Sequence, residues 1–328
     1  MDNYIGYTIY SQIRDENLSL FLKYLIFLKR QTLPKREMGV DFGEGTEEAY
    51  FRLPNRREPK DLFPLNVTLK PVKMGVEIFE RGNILMDYID IFIKNDYIDL
   101  KQIAESGQCF RWKKICPGRY FVISDGRAAC FFQEKTGIRI LCHEKDEEYF
   151  RRYLDLDTDY GKIIEQIDPE DRFLSGAAKM GKGIRILRQD LWEMMISFII
   201  SQRNNIPRIM KSIDALCEKL GEKIVFDYEE EYLIGYSFPG PEVLAKADLS
   251  EFKFGYREKY IRQTAEDVLT GKFELSALQT AVAKGASPEE GKELLKKLHG
   301  VGEKVASCIQ LFGLHQLSLF PVDTWIAK

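Results

Sequence analysis

A change of hydrophobic period near Asp146 restricts the fold of this chain more than any other feature of its sequence. From Gly107 to Leu141 short apolar and aromatic runs alternate with turn signals: Gln108 to Trp112, Pro117-Gly118, Arg119 to Ile123, Asp125-Gly126, Ala128 to Phe132, Thr136-Gly137 and Ile138 to Cys142. An Asp-Gly pair between such runs marks a tight hairpin, so this stretch predicts an antiparallel sheet. Beyond Asp146 the period is helical. Glu147 to Leu154 begins it, the almost wholly apolar run Leu191 to Ile200 predicts a buried helix, and Ile209, Met210, Ile213, Leu216, Cys217 and Leu220 predict an amphipathic helix ended by Gly221. Strands followed by helices, without βαβ alternation, give the class α+β.

The chain has 328 residues, 45% of them hydrophobic and 30% charged, which excludes a single small module and the disordered, collagenous and disulfide-scaffold classes. Its longest greasy patch, Leu18 to Leu28, is broken by Lys23 and falls short of the roughly 20 apolar residues of a membrane helix. The N-terminus does not read as a signal peptide. The expectations are no membrane partner, no secretion, and a cytoplasmic, nucleoid-associated location or a nuclear one in a eukaryote. Six cysteines (Cys109, Cys116, Cys130, Cys142, Cys217, Cys308) show no zinc spacing and read as free thiols, with no metal.

A net charge of −3 argues against wholesale polyanion binding, but the distribution is uneven. Between Arg172 and Lys211 eight basic residues (Arg172, Lys179, Lys182, Arg185, Arg188, Arg203, Arg208, Lys211) stand against two acidic ones, Asp190 and Glu193. The stretch fits either a phosphate-facing surface or an ordinary solvated one. Residues 1–85, with recurring Pro54, Pro59, Pro64 and Pro71, show weak helical and strand patterns and receive no function. Met86 is a candidate natural start, because Glu80-Arg-Gly82 can be encoded by a purine-rich run resembling a bacterial ribosome-binding site.

The most legible boundary is Ser287-Pro-Glu-Glu290, where Ser287 can cap a helix, Pro288 fits its first position and Glu290 can close a capping box. That helix is expected to run to Leu298. Gly300-Val301-Gly302 then makes a tight hairpin before helical spacing resumes from Glu303 to Phe312. Glycines here permit positive φ and close approach of a ligand, while the next helix presents unpaired N–H groups that suit a phosphate. Taken alone the pair also fits an ordinary αα turn. Lys304 sits in the first turn of the second helix, where a cation opposes the macrodipole; that environment, with partial burial, would lower the pKa of the amine and free it as a nucleophile. Cys308 follows four residues later on the same face. Nineteen residues beyond the lysine comes Pro321-Val-Asp323, where Asp323 is placed to cap the next helix.

Together Leu298-His-Gly-Val-Gly-Glu-Lys304 and Pro321-Val-Asp323 resemble the helix-hairpin-helix DNA glycosylases, and more narrowly the 8-oxoguanine DNA glycosylase/AP lyase family. Ser106-Gly-Gln-Cys-Phe-Arg-Trp112, Phe198 to Arg208 and Phe254-Gly-Tyr-Arg257 are similar to further family motifs in the same order, so the resemblance covers roughly Ile98 to Lys328. It implies an antiparallel β domain over 86–178 and a helix-hairpin-helix domain over 179–328, after the unassigned residues 1–85. It further implies excision of 8-oxoguanine from duplex DNA, opposite cytosine, by a monomer without cofactor. Lys304 would attack the sugar through a Schiff base that also permits strand nicking, and Asp323 would stabilise the cationic sugar. Gly107 and Cys308 would line the base pocket. Asn204, Asn205, Arg208, Tyr256 and Arg257 would meet the DNA and the widowed base, and Gly300, Val301 and Gly302 would hold a phosphate.

This sequence has Arg203 where the family commonly has asparagine and Trp325 where many members have histidine. It stops at Lys328, whereas the family continues through further helices around the flipped base; a fragment or premature stop with weak or absent activity is the expectation. The rival readings are another glycosylase of the superfamily, which the sheet motif at Gly107 disfavours, a non-enzymatic DNA-binding protein using the hairpin as a phosphate clamp, and a structural helical domain without DNA affinity.

Overall fold

The computed structural model describes residues 88–228 and 231–321. The expectations for 1–85, Asp323 and Trp325 therefore lie outside the described residues.

Five strands form one antiparallel sheet in the order β1-β5-β4-β3-β2: β1 Tyr88–Lys94, β2 Trp112–Cys116, β3 Arg119–Ser124, β4 Arg127–Glu134 and β5 Gly137–His143. The β3–β4 turn is Asp125-Gly126, with φ of 49° and 71°. Two successive positive φ values match the right-handed twist of a hairpin, which is why Asp-Gly signals it. Strand β1 was not expected. It pairs along its whole length with β5 as an edge strand, so its apolar residues are at best half buried and Phe92 is exposed.

Helix α1 (Leu100–Glu105), capped by Asp99 onto the Gln102 N–H at 3.0 Å, and α2 (Glu147–Tyr153) cover one face of the sheet. Leu100, Ile103, Phe131, Ile138, Ile140 and Phe150 form the core between them, each virtually inaccessible to water. Short helices α3 (Tyr160–Glu165) and α4 (Arg172–Met180) lead to the helical region. There α5 (Leu191–Ser201) is buried along ten consecutive residues, as an all-round apolar helix must be, and Asp190 caps it at 2.7 Å. Helix α6 (Ile206–Leu220) is amphipathic, and Gly221 ends it as the sequence indicates.

Two strands, β6 (Lys223–Tyr228) and β7 (Glu231–Tyr236), interrupt the region read as helical. Phe226 and Tyr228 of β6 close the second face of the sheet over Phe121, Ile123, Cys130 and Phe132. The chain continues through α7 (Pro241–Leu244), α8 (Arg257–Leu269), α9 (Leu275–Ala283), α10 (Pro288–Leu295) and α11 (Glu303–Gly313). Helix α5 lies against α8 and α11, with Phe198 stacked on Phe312 at 5.5 Å between centroids. Each such aromatic contributes about 1.5–3 kcal/mol by burial. Helix α10 stops at Leu295 rather than Leu298. The amides of Lys297 and Leu298 bond three residues back, to Leu294 and Leu295, so the last turn tightens before the hairpin.

The basic stretch divides in two. Arg185 is fully buried, donates to the carbonyls of Leu154 (2.9 Å), Tyr97 (3.1 Å), Thr158 (2.7 Å) and Asp155, and stacks on Tyr160. Arg188 pairs with Asp155 at 2.8 Å. Both are engaged by the fold, and Arg185 lies on no surface, neither a phosphate-facing nor a solvated one. Arg172, Lys179, Lys182, Arg203, Arg208 and Lys211 remain exposed.

Candidate active site and nucleic-acid interface

The segment Ser106 to Trp112 works as an anchor for one glycine. Ser106, Gln108, Cys109, Phe110, Arg111 and Trp112 are all buried, while Gly107, at φ 78°, is half exposed. The Gln108 amide explains the rigidity. Its Nε2 donates to the Arg185 carbonyl (2.8 Å) and to Ser106 Oγ (3.0 Å), and its Oε1 accepts from the Leu187 N–H (2.9 Å). Arg111 pairs with Glu193 of α5 at 3.0 Å and donates to the Tyr236 carbonyl. Burial pushes the Glu193 carboxyl above its usual range, against the pull of Arg111. Trp112 Nε1 donates to Tyr153 at 2.9 Å. Among the described residues the Gly107 carbonyl accepts no hydrogen bond, so its lone pairs are available to a ligand.

At the other support, Ser287 caps α10 and Glu290 returns the bond, so the capping box is present in full. Gly300 has φ 80°, and a methyl group there would run into the ring of Tyr260. Gly302 does not use the positive φ that a glycine permits: it is extended at −100°, exposed, and a methyl group would meet nothing within 4 Å. Its role as N-cap of α11 leaves the first-turn amides without a side-chain cap. They are free for an anion, and Val301 is buried beneath them.

Lys304 follows, half buried in the first turn of α11. Its neighbour Glu303 is taken by Lys296 at 2.6 Å, and Lys296 also reaches Glu293 at 2.8 Å. Hydrogen bonds to Glu293 and Glu303 hold the Lys296 ammonium above its usual range. Among the described residues Lys304 therefore has no counter-ion. Cys308, one turn on, is buried. Gln189 ties the two supports together: its Nε2 donates to the Gln108 carbonyl (2.7 Å) and its backbone N–H to the Phe312 carbonyl of α11 (3.0 Å).

A third group gathers the expected DNA contacts. Asn205 caps α6 by accepting from the Arg208 N–H at 3.0 Å, and Asn204 donates to the Ile200 carbonyl at 3.3 Å. The Arg208 side chain is exposed and unpaired among the described residues. Arg203 adopts φ 47° on the surface. Tyr256 is 48% exposed, open to a ligand at the surface. Arg257 lies on backbone carbonyls: Nε and Nη2 on Gln202 (2.8 Å through Nε), Nη2 also on Arg203 (3.3 Å), and Nη1 on Phe254 (3.1 Å). The sequence reading missed Gln108, Gln189 and Gln202. Each lies among polar or small neighbours, Gln189 between Arg188 and Asp190 and Gln202 between Ser201 and Arg203, so no local pattern marked them.

Among the described residues no three His, Cys, Asp or Glu side chains are placed to hold a metal ion, and no helix is long and apolar enough to cross a membrane. None of the six cysteines is joined in a disulfide.

Residues 90–195 match the family model for the 8-oxoguanine DNA glycosylase N-terminal domain. The chain is 31% identical over 268 residues to the N-glycosylase/DNA lyase of Saccharomyces cerevisiae, a match covering 72% of this chain and 68% of that protein. It is 30% identical to the N-glycosylase/DNA lyase OGG1 of Arabidopsis thaliana, covering 67% of this chain and 62% of the plant protein. Among solved structures it is similar to the Clostridium acetobutylicum 8-oxoguanine glycosylase/lyase in complex with double-stranded DNA containing cytosine opposite 8-oxoguanine. That similarity has a TM-score of 0.64 and 34% identity, covering 74% of this chain and 85% of that one.

Proposed function

The chain belongs to the 8-oxoguanine DNA glycosylase family, and on that premise we propose that it is a bifunctional DNA glycosylase and AP lyase that removes 8-oxoguanine from duplex DNA. The observation that carries the proposal is Lys304: a half-buried amine at an uncapped helix start, with the adjacent Glu303 already engaged by Lys296.

The lesion is extruded from the duplex at a cost of a few kcal/mol, because chemistry on a stacked base is inaccessible. Exposed Tyr256 fills the gap, Asn204, Arg208 and Arg257 lie beside the partner base, and the free amides after Gly302 hold a backbone phosphate without reading sequence. The Gly107 carbonyl accepts a hydrogen from N7, which guanine lacks and 8-oxoguanine carries. Nζ of Lys304, once unprotonated, attacks C1′; the C1′–N9 bond breaks and the base leaves with its electron pair, to be protonated. The attached Nζ then carries two protons and gives up one; as the C1′–O4′ bond breaks and O4′ takes a proton, the Nζ lone pair forms the protonated Schiff base. Removal of a C2′ proton then expels the 3′-phosphate and nicks the strand. Asp323 stabilises the cationic sugar. The chemistry uses no cofactor.

Borohydride reduction on a duplex with 8-oxoguanine opposite cytosine tests the proposal. The expected result is a covalent adduct that Lys304→Gln abolishes. Adduct formation by Lys304→Gln, or DNA binding without any adduct in the wild type, overturns it; the second outcome would favour the phosphate clamp.

A further inference from the structure

Five residues from three separate segments form a closed circuit. Gln202, the C-cap of α5, donates through Nε2 to the Gly300 carbonyl of the hairpin at 3.0 Å. Gly300 is pressed against the ring of Tyr260, so closely that no side chain fits between them. Tyr260 meets Tyr256 edge to face, with centroids 5.7 Å apart. Arg257 stacks on Tyr256 at 4.7 Å and returns to the Gln202 carbonyl through two nitrogens. Of its five N–H donors, four are used on the carbonyls of Gln202, Arg203 and Phe254, which leaves one hydrogen on Nη1.

This arrangement has a physical consequence. Arg257 can approach an acceptor on the partner base through that one hydrogen, or by releasing the Gln202 carbonyl. Either movement acts on Gln202, whose side chain is fixed to the hairpin. Conversely, a phosphate drawn onto the hairpin amides shifts Gly300, and with it both Gln202 and Tyr260. Packed side chains and short hydrogen bonds transmit such shifts because they have few alternative arrangements.

We propose that Gln202 and Tyr260 are positioning residues that couple reading of the partner base by Tyr256 and Arg257 to seating of the catalytic hairpin that leads into Lys304, so that excision is faster opposite cytosine than opposite adenine. The inference rests on the glycosylase function proposed above. Neither residue touches the lesion; each acts through the groups it holds. Gln202 contributes one donor to one carbonyl, and a methionine at 202 keeps its length and apolar stem while removing that donor.

The test measures single-turnover excision by the full chain on 8-oxoguanine opposite cytosine and opposite adenine, for wild type, Gln202→Met and Tyr260→Leu. The wild type is expected to favour cytosine by about tenfold or more, as a coupling of ordinary size gives. Gln202→Met is expected to lose most of that factor opposite cytosine while changing less than about twofold opposite adenine. Tyr260→Leu, which breaks the circuit on its other side, is expected to show the same signature. The double variant is expected to lose no more than the larger single effect, since both act through one path. Equal losses on both duplexes in either variant, an unaltered ratio, or independent multiplication of the two effects would overturn the coupling and leave the glycosylase reading standing. A wild type that excises from neither duplex would overturn that reading itself.

Discussion

Ser106–Trp112 and Leu298–Lys304 each present one group, the Gly107 carbonyl and the Lys304 amine, and they are built on opposite plans. In the first, six of seven residues are buried and side-chain hydrogen bonds fix a single half-exposed glycine. In the second, backbone geometry does the positioning, with Gly300 set by its φ and by Tyr260, and the first-turn amides of α11 left bare. On the proposed function the Gly107 carbonyl distinguishes one hydrogen on a base, which needs a support that cannot move. A hairpin that must accept a phosphate in any sequence needs free N–H groups and little else.

The largest effect on stability should come from breaking the first plan. Gln108→Leu leaves the Leu187 N–H and the Arg185 carbonyl without that partner in a dry interior, and should cost about 3 kcal/mol in denaturant unfolding. A cost below about 1 kcal/mol would show that the loop is held elsewhere.

Next comes Asp155, which joins Arg188, Tyr160 Oη (2.9 Å) and His315 (3.4 Å) beneath both plans. Burial pushes its carboxyl up, but hydrogen bonds and charge from His315 and Arg188 outweigh it and bring it down to about 2. A depressed carboxylate contributes stability above its unfolded pKa and loses it as pH falls through the folded value. The contribution, about 2 kcal/mol, should therefore be complete above about pH 4 and disappear toward pH 2. Asp155→Asn should remove it at neutral pH and flatten the acid limb of the stability curve; an unchanged limb would contradict this.

Gly300→Ala comes third. A methyl group at φ 80° against Tyr260 should cost about 1–2 kcal/mol and weaken DNA binding. Gly302→Ala is the control that sharpens the contrast. With negative φ and open space it should change stability by less than about 0.5 kcal/mol, while the added methyl weakens DNA binding several-fold where a phosphate approaches. Equal thermal shifts in the two variants would show that the hairpin is not positioned by Gly300.

Local chemistry was legible in the sequence wherever neighbours in the chain decide the structure. The Asp125-Gly126 turn and the Ser287–Glu290 box are such cases, as are the buried α5 and the lysine-bearing α11. What escaped depends on distant partners. Strands β6 and β7 exist because Phe226 and Tyr228 have a sheet face to cover. Arg185 was counted in a stretch that fitted either a phosphate-facing or a solvated surface, because a charge count cannot see four carbonyls converging from Tyr97 and Leu154 to Thr158. The Gln202 circuit closes only when three segments meet.

Mass spectrometry of the borohydride-reduced complex with 8-oxoguanine DNA tests the central claim most directly. The account predicts that the sugar remnant is attached to the peptide containing Lys304, at its Nζ. Attachment at Lys296, Lys297 or any other amine would contradict it.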